Sequence, residues 1–551
     1  MWLIEPKYKL MPTSERILEF KGLNRKPVID NGEMRDMKNL SSDEYPCLSQ
    51  RRPRGIYRDG ASGARNYRHP IQMLVKYEQL AVMDEGVREW TFWYAQQDRL
   101  RFHERQKMIG MNEKIIFFPD KSYYDCRTGL TGKLEAELTA PSATVDSSND
   151  GQDNGVKVTL GAGGTSYGQF KQNDAVILTG VLRWTDAEGN PGETRYPEDA
   201  GLSCLVNSVE GNVIVFEPNI FLELDAAGTT TASLTELVIR RECPNLSHVM
   251  EYGNRLWGTC DDDNTIRCCK MGDPTNWDYY QNEALDSWAA TQGTEGAWTG
   301  CAAFSNHLLF FKENYIHKVY GSYPAQFQVA TQEANGVEIG SADSVAIIED
   351  YVFYKSRIGI MVYAGSRPEV ASGTFGANAY KNVVAGANRR KYYASMERPD
   401  GEYELLVFDA ASNLWHREDD THAVCFCFME ESLLYADNDG EIWIIDGGDD
   451  DSEIEWYAEL GPFDEYLEDK KVVSKLKARY TLEEGAYLDI FIKTDDSDWR
   501  LIQEYDNSFD RAGMIRIVPQ RCNKYSVRFE GKGRCRIESL VRLYRQVNGR
   551  Y

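Results

Sequence analysis

The feature that most restricts the fold is a series of hairpins that each end in a glycine-proline exit. Ile266 precedes Gly272-Asp273-Pro274, Ile316 precedes Gly321-Ser322-Tyr323-Pro324, and Ile360 precedes Gly365-Ser366-Arg367-Pro368. The isoleucines stand 50 and 44 residues apart. Ile442 follows Ile360 by 82 residues, twice 41, and a hairpin at Leu405-Leu406-Val407-Phe408 with Trp415 behind it fills the gap. Each hairpin joins β-prone runs through Asx or glycine turns. A proline cannot donate to a ladder, so each second strand must stop before its exit. Four short strands per 41–50 residues is the period of a β-propeller blade. The expected fold is therefore all-β, a propeller of about six blades. A series of β-sandwiches with coincidental spacing is the alternative.

The remaining segments are assigned around this array. Residues 1–70 read as an extended arm. Between 51 and 68 it carries Arg51, Arg52, Arg54, Arg58, Arg65 and Arg68 against Asp59 alone. These arginines mark either a contact to phosphate or an acidic partner, or an arm that docks on a neighbouring subunit. Residues 71–130 hold the first blade or blades. Residues 131–241 change to a compact β pattern with a loop-rich entry, an inserted small barrel or sandwich. Residues 242–452 hold the remaining blades, and 453–551 alternate as a terminal β-sandwich with one wet face. That face is basic, since 514–551 hold 10 Lys and Arg against Glu530 and Glu538.

Charge divides the same way. Residues 1–70 carry 14 Lys and Arg against 9 Asp and Glu, and residues 470–551 carry 18 against 11; of the total −24, residues 71–469 carry −36. An acidic body does not wrap nucleic acid, although nucleic acid can pass by it. No run of 18 apolar residues is present, so no membrane span is expected. The start, Met1-Trp2-Leu3-Ile4-Glu5-Pro6, lacks a basic region and a following apolar run, which argues against a secretory signal. The twelve cysteines, including adjacent Cys268-Cys269, read as reduced, mostly buried thiols of a protein made in cytoplasm.

No catalytic, cofactor or metal site is expected. Gly161-Ala162-Gly163-Gly164 opens no helix and reads as a loop. The acids Asp261, Asp262, Asp263, Asp437 and Asp439 sit at turns, where they serve the backbone. Asp437-Asn438-Asp439-Gly440 begins like a calcium loop, but Gly448 stands where the closing glutamate belongs. Trp257, Trp277, Trp415 and Trp443, one per hairpin, read as blade packing rather than a sugar platform.

Asn254-Arg255-Leu256-Trp257-Gly258, Asp263-Asn264-Thr265-Ile266 and Gly272-Asp273-Pro274-Thr275-Asn276-Trp277 together resemble a signature of β-propeller tail proteins of tailed bacteriophages, the DNA-stabilisation or tail-tube nozzle family. Asn39-Leu40-Ser41-Ser42, Tyr45-Pro46 and Arg51-Arg52-Pro53-Arg54 are similar to the arm of that group, and Cys268-Cys269 departs from its usual Ser or Ala. The resemblance covers about 35–125 and 242–450. It implies a structural virion protein without enzymatic activity, assembled in the host cytoplasm into a ring, commonly a hexamer. Such a ring continues the DNA channel below the portal and adaptor, and genomic double-stranded DNA passes through it without sequence recognition during ejection. The alternatives are a host-glycan-binding tail propeller and, further off, a glycosidase.

Overall fold

The computed structural model describes residues 13–58, 67–95, 97–148, 155–161, 166–376, 379–451, 453–506 and 511–547. Arg65 and Ala162-Gly163-Gly164 lie outside them. The fold is all-β and separates into two compact units, Phe102–Glu333 and Met1–Arg101 with Ala334–Tyr551.

The described residues form seven small antiparallel sheets of four strands each, numbered below in chain order. Three lie in unit 102–333, beginning with strands Lys107–Met111, His248–Glu251 and Trp298–Phe304, which neighbour one another in that order. The other unit holds the first, fifth, sixth and seventh. Their opening strands Ala346–Ile348, Lys381–Asn388, Ala423–Met429 and Pro70–Lys76 stand side by side, so the seventh sheet neighbours the first. This is blade-on-blade packing, in which a small sheet that cannot bury both faces alone covers them with its neighbours. Residues 70–133 supply two of the seven sheets, where the sequence placed the first blade or blades. Their third strands, Trp90–Tyr94 and Ser122–Asp125, carry Thr91 and Tyr123 where the repeat has isoleucine.

Ile266, Ile316, Ile360 and Ile442 all occupy the third strand of their sheets and are at most 1 % exposed. The glycine-proline exits form the connection from third to fourth strand. Gly272, Gly321 and Gly365 have φ of +77°, +121° and +94°, a region side chains disfavour. In the sixth sheet the second residue of the third strand is Glu404 instead of isoleucine.

The insertion is a closed barrel of six strands, Ala136–Asp146, Val156–Leu160, Ala175–Thr185, Leu202–Glu210, Val213–Phe216 and Thr231–Arg241. Closure is by pairing of Ala175–Thr185 with Thr231–Arg241. Alternate residues such as Val145, Val158, Leu178, Ile214 and Leu234 point inward and fill it. Thr131–Lys133 is the fourth strand of the second sheet, so the barrel begins after it.

The arm is not a free extension. Thr13–Ile17 pairs with Cys535–Gln546, Met34–Lys38 pairs with Glu455–Phe463, and Leu48–Gln50 pairs with Cys535–Gln546. It therefore shares two sheets with strands from 455–546, and their common core includes Met34, Met37, Leu460, Leu476, Val527 and Leu540. Gly55–Ile56 then pairs with Trp443 and Ile444 as the fourth strand of the seventh sheet. The terminal sandwich is thus built from both ends of the chain.

Candidate functional site

Two clusters of buried polar side chains stand out, one in each unit. In unit 102–333 the Gly272-Asp273-Pro274-Thr275-Asn276-Trp277 exit is a bracket between the third sheet and the barrel. The Asp273 carboxylate accepts from Thr275 N at 3.1 Å, Thr275 Oγ1 at 2.6 Å and Asn276 Nδ2 at 2.7 Å, the local geometry of an Asx turn. It also meets Lys171 Nζ of the barrel at 2.8 Å. Burial opposes the Asp273 charge, but Lys171 and Thr275 hold its carboxyl below the usual range. Asn276, fully buried, accepts from Ala175 N at 2.9 Å and donates to Asp174 at 3.4 Å. Asp174, also fully buried, takes the Arg241 guanidinium at the barrel's last strand. Trp277 closes the turn by donating Nε1 to Pro274 O at 3.0 Å.

The tryptophans pack between sheets. Trp277 joins Ile109, Ile116 and Phe118 of the second sheet, while Trp257 joins Trp298, Leu308 and Phe310 of the fourth. Cys269 shares the first cluster and Cys268 the second, on opposite faces of one strand. Burial pushes the Cys268 thiol up to about 12. Trp415 is also buried, against Phe375 and Phe408, and Trp443 donates Nε1 to Asp437 at 2.7 Å. A sugar ring needs an open indole face, which buried Trp257, Trp277 and Trp415 do not offer.

In the other unit the arm's cations meet buried acids. Arg25 grips Glu404 with both guanidinium nitrogens at 2.8 and 3.0 Å, and Tyr380 OH donates to the same carboxylate at 2.7 Å. Burial raises the Glu404 proton affinity, and Arg25 and Tyr380 reverse this to a net lowering. Arg54 reaches Glu418 at 2.6 Å and Asp419 at 2.9 Å, and lies over the Tyr435 ring. Arg51 meets Asp451 at 2.8 Å, and Arg58 meets Asp450 at 3.1 Å, which also accepts Ile56 N. These arginines pair with acids of their own chain, which the 449–451 loop and the strand carrying Glu418 and Asp419 present. Arg52 and Arg68 are exposed; Arg52 lies 3.7 Å from Asp43.

The turn acids have local duties. Asp261 accepts Trp298 N at 3.0 Å, Asp262 accepts Asn245 at 3.0 Å, and Asp263 holds Thr265 at 2.5 Å and Arg267. Asp437 accepts the Asp439 and Glu441 amides at 3.0 and 2.8 Å. Asp262, Asp263 and Asp278 border an open cavity of about 720 Å³ with Arg241 and Arg267. Burial raises the Asp278 carboxyl. Among the described residues no group of three His, Cys, Asp or Glu is arranged to hold a metal, and no helix is long and apolar enough to cross a membrane.

Sequence reasoning missed Asp174, Lys171, Arg241, Arg25 and Glu404. Glu404 left one signal, a charged residue within a β-prone run beside the repeat.

No family model matches this chain, and no curated protein matches it. Solved structures similar in part include Raptor of Chaetomium thermophilum, at 12 % identity and a TM-score of 0.35 over 72 % of this chain and 29 % of Raptor. The chain thus spans under a third of Raptor's length. PorZ of Porphyromonas gingivalis, a surface component of the type-IX secretion system, gives 9 % identity and 0.24 over 90 % of this chain and 78 % of PorZ. Hsv2p of Kluyveromyces lactis gives 7 % and 0.22 over 73 % and 95 %. All three scores are below 0.5, and what those proteins do remains theirs alone.

Proposed function

We propose that the chain is a structural subunit of a tailed-phage tail, forming a nozzle or stabilisation ring below the portal and adaptor. In this reading each small sheet is a propeller blade, and Gly55–Ile56 completes the seventh. Several copies form a ring, with six as the starting expectation, around a channel that passes double-stranded DNA without reading its sequence. The protein acts as scaffold, with no substrate and no cofactor.

One observation carries this reading. Both ends of the chain are interleaved in a single sandwich, whereas the small sheets and the barrel come almost wholly from the acidic middle. The small sheets and barrel thereby make an acidic body past which phosphate slides without sticking. The exit motif that carries the phage resemblance is spent on holding the barrel to its sheet, a scaffold's use of polar groups.

Cryo-electron microscopy of intact particles tests the reading. The expected result is a ring of this chain on the DNA axis. Finding it off that axis, or finding glycoside turnover by the purified protein that Asp278→Asn abolishes, overturns it.

A further inference from the structure

The sandwich sheet that contains Lys471–Leu482 has an outer face on which several side chains stay exposed among the described residues. Residues directly opposite one another on paired strands share a face. Arg16, Val541 and Lys477 make one row across three strands, and Ser14, Leu543 and Lys475 make the next. Ser539 and Arg479 follow. Arg16, Lys475, Lys477 and Arg479 are exposed, while Val541 and Leu543 are half-buried between the cations. Leu476, Ala478 and Leu540 alternate with them and face the core. Arg479 lies 3.8 Å from Glu538, whereas Lys475 and Lys477 make no ion pair among the described residues.

We infer that this face is the contact through which one copy docks on the acidic turn rim of the next copy, and that it holds the proposed ring together. The inference rests on the ring reading above. In a meander sheet the turn joining second to third strand always emerges at the same end. In the sixth and seventh sheets, which share one unit, these turns carry Asp400 with Glu402, and Asp439 next to Asp437 at the strand end. Glu402 and Asp439 are exposed. Basic face and acidic rim lie on different parts of one chain, so their contact is heterologous. Repeated from copy to copy, it closes a ring whenever the rotation allows.

A neighbouring copy fits the face better than a DNA duplex does. Its floor holds half-buried Val541 and Leu543, and Glu538 sits among its cations. An apolar centre with a charged border is the pattern of a protein contact. Phosphate gains nothing from the valine and leucine, and the −24 net charge of the chain repels it.

The test compares full-length protein with Lys475→Glu/Lys477→Glu/Arg479→Glu by mass photometry, from about 50 to about 500 mM NaCl. A control, Arg127→Glu/Lys157→Glu/Arg195→Glu, makes the same net charge change elsewhere. The expected result is wild-type assembly that weakens with salt, association about ten-fold or more weaker in the face variant, and little change in the control. Equal thermal melting of both variants shows that the sandwich remains folded. Wild-type rings with undiminished assembly of the face variant overturn this inference and leave the ring reading standing. A wild type that stays monomeric at every salt concentration overturns both. Binding of a fluorescent DNA duplex that only the face variant loses, with assembly intact, assigns the face to nucleic acid and overturns the inference.

Discussion

Arg54 and Arg52 are two residues apart, and their surroundings give them opposite weight. Arg54 is 3 % exposed and pairs with Glu418 and Asp419; Arg52 is largely in solvent. Arg54→Ala leaves buried carboxylates without their cation and is expected to cost about 3–5 kcal/mol in urea unfolding. Arg52→Ala is expected to cost less than about 1 kcal/mol. Two histidines set a pH response. Burial, aided by Lys312, lowers His317 to about 4, and burial, aided by Lys391, lowers His416 to about 4. His317 sits between Thr294 and Thr331 hydroxyls at 3.0 Å each and against the Trp298 ring. An unfolded chain protonates these rings near 6.5, the folded chain only near 4. Between those values the unfolded state binds more protons, so stability declines as pH falls from about 6.5 toward about 4. Thermal melting across that range checks it, and His317→Gln with His416→Gln is expected to flatten the slope.

Among the elements, the seventh sheet rests on a two-residue closure. A Cβ on Gly55 would stand 2.3 Å from Gly447 O and 3.0 Å from Gly448 Cα. Gly55→Val is therefore expected to expel the strand, lowering stability by about 1–3 kcal/mol and speeding amide exchange at Trp443 and Ile444. The exit bracket makes a separate prediction. Asp273→Ala removes the acceptor shared by Lys171, Thr275 and Asn276, so exchange and proteolysis should rise at the start of the Ala175–Thr185 strand, while the barrel core around Leu178 and Ile214 stays protected. Unchanged protection at Ala175 would show that the bracket does not hold the barrel. These elements were unequally legible in sequence. The third strands announced themselves because Ile266, Ile316, Ile360 and Ile442 fill one recurring buried place. Glu404 broke that rhythm because Arg25, nearly 400 positions away, makes a carboxylate tolerable there. The first two sheets lacked the same signal, with Thr91 and Tyr123 in the isoleucine's place. The arm's strands are two to five residues long, and apart from the local pair Leu40–Ser41 with Leu48–Gln50 their partners lie about 390 to 530 positions downstream, beyond any local pattern. The bracket was visible as a turn, but its partners Lys171, Asp174 and Arg241 become neighbours only when the barrel closes.

For the whole molecule, the separation of charge predicts behaviour toward DNA. The acidic middle should give no measurable duplex binding at about 150 mM salt, and a fluorescence-anisotropy titration checks it. Submicromolar binding would contradict the sliding-wall reading. The interleaved ends also bear on how the protein is made. On the ribosome, Thr13–Ile17 and Met34–Lys38 emerge early, yet their partners Cys535–Gln546 and Glu455–Phe463 emerge late. The interior unit Phe102–Glu333 can fold during translation, whereas the arm must wait, its strand edges unpaired, until Glu455–Phe463 and Cys535–Gln546 have been made. A nascent chain that stops short of Cys535–Gln546 is then a species with a finished middle and open strand edges, suited to capture by chaperones, and only a chain that includes those residues can close itself.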